Sequence, residues 1–132
     1  MHTGYRRPFA SFLFLIALYL LTPAAALADT SNKWRIKVSG GANSDGEMIF
    51  HVTPKNGETT VVRVTVKDGT GENRVAKTIR DAFEVQLPRD LYHIEVDDGE
   101  QVLVKKKGGA DNFALTLESS TVKHTSIKIG KE

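Results

Sequence analysis

Apolar and polar residues alternate along this chain in seven short runs. Trp34, Ile36 and Val38 alternate with Lys33, Arg35 and Lys37. Met48, Phe50 and Val52 alternate with Ile49, His51 and Thr53, and Val62, Val64 and Val66 with Val61, Arg63 and Thr65. Further on, Tyr92, Ile94 and Val96 alternate with His93 and Glu95, and Val102 and Val104 flank Leu103. Phe113, Leu115 and Leu117 then alternate with Ala114 and Thr116, and Thr125, Ile127 and Ile129 with Ser126 and Lys128. A period of two is that of strands buried on one face, so the pattern predicts seven strands. Turn-forming stretches separate most of them: NSDGE at 43–47, PKNGE at 54–58, VKDGTGE at 66–72, DDGE at 97–100 and KKGGADN at 106–112. Asn-Gly and Asp-Gly tolerate the positive φ of tight hairpins, and such short links favour antiparallel neighbours.

Only one segment has helical spacing. Val75, Ala76, Ile79, Ala82 and Phe83 fall within about 120° of a helical wheel, and Arg74, Lys77, Arg80, Asp81 and Glu84 take the rest. Thr70 is the expected N-cap, Glu72 suits the positive end of the helix dipole, and Pro88 ends the segment. A helix this short is marginal alone in water, so its apolar stripe must pack on a sheet. The predicted class is α+β: an antiparallel sheet of six or seven strands, curled or split into two layers, with three strands before the helix and four after it. One register needs care. A two-residue loop at Asp98-Gly99 would set Val96 opposite Gln101 and turn Val102 to the wrong face. Pairing Val96 with Val102 requires an odd-length connection or a bulge, and a bulge is the expected form.

The first 28 residues break the pattern. Arg6 and Arg7 precede an apolar run from Phe12 to Leu21; Pro23 interrupts it, and Ala26-Leu27-Ala28 offers a small-x-small cleavage site. This is the layout of a secretory signal, with the cut expected after Ala28 and one domain over 29–132. An uncleaved anchor fits less well, because the apolar stretch is short for ~30 Å of hydrocarbon. Arg6-Arg7-Pro8-Phe9 shares paired arginines and a phenylalanine with twin-arginine signals, but the very apolar run suits the general export route.

Removing the leader changes the charge. The chain has 18 Lys and Arg against 16 Asp and Glu; without Arg6 and Arg7 the two counts are equal. A neutral domain provides no bulk field for nucleic acid or an anionic membrane. The chain has no cysteine, which excludes disulfides, thiol catalysis, thiolate metal sites and a lipidated cysteine. No Asn-x-Ser/Thr acceptor occurs. The domain must therefore stand on an ordinary apolar core, in the bacterial periplasm or outside the cell.

Candidate chemistry is sparse. The three Asp/Asn-Gly-Glu repeats lack the ligand spacing of a calcium loop and read as hairpin turns. His51, His93 and His124 each fall on the polar phase of an expected strand, with no short-range metal spacing. Asp81 and Glu84 share a helix face, and His93 and Glu95 share a strand face on which they could form a dyad. No G-x-S-x-G serine, phosphate loop, dinucleotide fingerprint or zinc-protease motif is present. Residues 81–100 carry seven acids against Arg89 alone, whereas 101–132 carry six lysines against three acids. Either a dipolar surface orients a partner, or the two stretches pair as adjacent strands and neutralise each other.

The run Lys105-Lys106-Lys107 before Gly108-Gly109 is the candidate binding segment, suited to an acidic partner. Lysines at a strand end also discourage edge-to-edge pairing, as Lys33, Arg35 and Lys37 would on the first strand. These observations favour an exported non-catalytic binding or accessory module, an inhibitor or an envelope-associated protein, with no cofactor or metal. It would recognise a protein or envelope component through its loops or by strand addition, without nucleic acid and without a membrane span once the leader is removed. A small hydrolase using His93 or His51 with a carboxylate is the alternative, and a self-assembling envelope component a third.

Overall fold

The computed structural model describes residues 29–132. The expected leader and its cleavage site lie outside the described residues. The elements are β1 (Lys33–Ser39), β2 (Gly46–Pro54), β3 (Thr60–Val66), α1 (Glu72–Gln86), β4 (Tyr92–Asp97), β5 (Gln101–Lys106), β6 (Phe113–Ser120) and β7 (Ser126–Lys131). The strands form two antiparallel sheets, one ordered β4-β5-β1-β7 and the other β3-β2-β6. The class is α+β, and the layer is split in two rather than closed into a barrel.

The inward phases of both sheets share one core with the helix. Ile36, Val38, Val102 and Val104 line it from the larger sheet, Met48, Phe50, Val52, Val62 and Val64 from the smaller one. Helix α1 links β3, an edge of one sheet, to β4, an edge of the other, and packs on β1, β3, β4 and β5. Its Val75, Ala76, Ile79 and Phe83 are buried, with Ala82 partly so. Burying Val75, Ile79 and Phe83 contributes about 1.5–3 kcal/mol each. Two edge-to-face ring pairs join the layers, Phe50–Phe83 at 5.2 Å and Tyr92–Phe113 at 5.1 Å.

The β4–β5 hairpin pairs Val96 with Val102 and Asp97 with Gln101. Its loop therefore holds three residues, an odd-length connection in place of the expected bulge. Asp98 and Gly99 both adopt positive φ, 51° and 75°. Leu103 keeps the outward phase between the inward Val102 and Val104. It sits between Arg35 and Glu95 in the register and is buried all the same, on a face where long side chains can cover an apolar neighbour.

Two local expectations are corrected. Thr70 does not cap α1; its hydroxyl donates to Lys67 O at 2.7 Å within the preceding turn, and Gly71 is the N-cap. Glu72 instead ties the helix start to β1, accepting from Gly40 N–H at 2.7 Å. His124 is not on a strand but in the β6–β7 turn at φ 70°. Its carbonyl lies against Gly40, itself at φ 83°, and leaves no room for a Cβ there.

The sheets' free edges are handled differently. At β3, the Gln86 amide of α1 accepts from Arg63 N–H and donates to Arg63 O, both at 2.8 Å, standing in for a strand partner. On the opposite side, β6 and β7 approach without pairing. The lead-in to β1 bridges them: Ser31 exchanges two backbone hydrogen bonds with Phe113, and Asp29 meets Lys131 at 2.8 Å.

Candidate functional site

Where α1 stops, the surface opens. Pro88 cannot continue the helix, so Leu87 turns extended and donates to Phe83 O at 2.9 Å. Leu91 and Tyr92 then fold back onto Pro88 O, and Lys107 N–H donates to Leu91 O at 2.8 Å. This brings the end of β5 beside the start of β4 and the last helical turn. Between them lies a cleft of about 140 Å³, with Phe83, Leu87, Tyr92 and Ile94 as its apolar lining and Glu84, Arg89, His93 and Lys107 as its polar one.

The polar groups of the cleft differ in how far they are engaged. Glu84 faces Arg80 at 3.4 Å. His93 Nε2 is 3.6 Å from Glu95, whose other oxygen is 3.0 Å from Lys105 Nζ. That lysine contact, aided by His93, holds the Glu95 carboxyl below the usual carboxylate range. Burial pushes the Tyr92 phenol up, reinforced by the charge of Asp111. Arg89 and Lys107 make no ion pair among the described residues. Val85, 78% exposed on the helix, and Leu91, 38% exposed beside Lys107, add apolar surface at the same end of the molecule.

The three candidate lysines separate. Strand β5 runs through Lys106, so Lys105 and Lys106 alternate in facing instead of sitting in a loop. Lys105 lies on the outer sheet face against Glu95. Lys106 sits opposite Tyr92 at the sheet end, its N–H on Asn32 O. Lys107 alone reaches the cleft. The adjacent strands β4 and β5 do neutralise part of the charge imbalance, through Glu95–Lys105, while Asp97 is met from across β5 by Arg35 of β1 at 2.9 Å.

Arg89 was not singled out by sequence reading, although it is the lone cation in an acidic stretch and follows a helix-stopping proline. The histidines do not converge. His93 belongs to the larger sheet, His124 to a turn, and His51 to the outer face of the smaller sheet. There the β2–β6 register leaves Glu118 as a bulged residue and sets it 3.0 Å from His51 Nδ1. Among the described residues no three His, Asp or Glu side chains gather as a metal-holding group, and no helix is long and apolar enough to cross a membrane. No protein-family description matches the chain, and no curated protein matches it either.

Proposed function

We propose that this chain is an exported, non-catalytic binding module, an inhibitor or envelope accessory protein, whose partner presents an acidic group on an apolar body. The observation that carries this reading is the pairing of an apolar floor with two uncommitted cations, Arg89 and Lys107, in one cleft. A carboxylate entering it gains charge-assisted hydrogen bonds, while its apolar body covers Leu87 and the exposed Leu91. At about 140 Å³ the cleft suits a side chain of a partner better than a whole small-molecule substrate.

A hydrolase remains the second reading, because His93 and Glu84 share this cleft. No Ser, Thr or Cys lines it, and the carboxylate nearest His93 is already engaged by Lys105. The test is capture from envelope extract by the exported protein in its wild-type, Arg89→Ala/Lys107→Ala and Lys105→Glu forms. A salt-sensitive partner should be retained by the wild type and by Lys105→Glu, and weakened at least about tenfold by the cleft pair. Undiminished capture by the cleft variant, or hydrolysis of an ester or peptide probe that His93→Ala abolishes, overturns the reading.

A further inference from the structure

A second cationic feature lies on a different face, on the outside of the larger sheet. There β1 projects Lys33, Arg35 and Lys37 outward, and β7 lays Lys128 and Gly130 beside them. A groove of about 190 Å³ is lined by Arg35, Lys37, Lys128, Gly130 and Lys131. The β1–β7 register sets Lys37 directly opposite Lys128, and Arg35 opposite Gly130. Like charges directly opposed across an antiparallel pair destabilise it, so sheet formation does not account for this arrangement.

The neighbours are already engaged. Arg35 is held by Glu132 at 2.7 Å and by Asp97 at 2.9 Å, contacts that raise its already high pKa further. Lys131 is held by Asp29 at 2.8 Å. Lys37 and Lys128 are both exposed and make no ion pair among the described residues. The groove therefore offers two uncommitted ammonium groups side by side. Gly130 gives it an open floor, for a Cβ there would meet no atom within 4 Å.

We propose that the Lys37–Lys128 pair beside Gly130 binds a phosphate-type oxyanion, as inorganic phosphate or the headgroup of a phosphate ester. A dianion matches the two uncommitted positive charges and turns their repulsion into two charge-assisted hydrogen bonds. The bland role for these lysines, guarding the free edge of β7 against strand pairing, requires no ligand.

Thermal unfolding of the exported protein at constant ionic strength, with chloride replaced by inorganic phosphate, separates the two. The wild type should gain about 6 °C at a tenfold excess over Kd, and the gain should go on rising with the logarithm of the phosphate concentration above Kd. Lys37→Gln/Lys128→Gln, relieved of the repulsion, should melt no lower than wild type without phosphate and gain nothing from it. Arg89→Ala/Lys107→Ala should keep the full response, which makes this site separable from the cleft. Phosphatidic acid vesicles that sediment the wild type but not the lysine variant identify a lipid headgroup as the source; a phosphate response without vesicle binding identifies a soluble one. No gain in the wild type, an equal gain in the lysine variant, or a gain lost in the cleft variant overturns the proposal, and self-association of the lysine variant with no phosphate response in the wild type assigns the pair to edge protection.

Discussion

The two ends of α1 meet the rest of the molecule in opposite ways. At its start the helix lacks a side-chain cap, yet the junction is closed. Glu72 takes the Gly40 N–H, Ala42 exchanges backbone hydrogen bonds with Thr70 O and Gly69 N–H, and Gly99 lies against Asn73. At its finish the helix spends one residue, Gln86, on the β3 edge and leaves Val85, Leu91, Arg89 and Lys107 facing outward. One end is fastened by main chain at close range. The other is held by a side chain and opens a cleft. A closed junction and an open cleft thus stand at opposite ends of a single 15-residue helix.

The largest test of that division removes what the ends share. Ile79 is fully buried at mid-helix, and Ile79→Asp places an unpaired charge in the core. The loss should exceed about 5 kcal/mol, enough to unfold a domain of this size, as read by circular dichroism and solubility. A soluble variant with unchanged melting contradicts the packing described. Next comes the closed end. Gly40→Ala forces a side chain into positive φ and against the His124 carbonyl, and should cost about 2 kcal/mol in urea unfolding while leaving the cleft's binding intact. The smallest effect belongs to the open end. Gln86→Ala uncovers Arg63's backbone groups, which water can satisfy, so stability should fall by only about 1 kcal/mol. The uncovered β3 edge should instead appear as concentration-dependent association in sedimentation. Equal stability losses from Gly40→Ala and Gln86→Ala would erase the contrast.

The inward faces were legible because a period of two with one buried side leaves little choice of register. The same logic paired Val96 with Val102 and left an odd-length loop or a bulge to achieve it, of which the chain uses the loop, between Asp97 and Gln101. It failed at His124, where the alternation runs on into a turn set by the close approach of Gly40, 84 residues away in sequence. Lys105 to Lys107 read as one patch because a strand's end depends on its partners, here Tyr92 and Asn32. Arg89 joins Lys107 only once α1 and β5 are adjacent. Gln86 was invisible for the same reason, since its partner Arg63 lies on β3, before the helix, and meets it only once α1 packs along that edge.

The threading of Asp29 and Ser31 between β6 and β7 has a practical outcome. It fixes the point from which anything fused or tethered ahead of Asp29 departs: the side of the sandwich remote from α1. A molecule immobilised through that terminus would be oriented by its own architecture, with the helical flank turned away from the support.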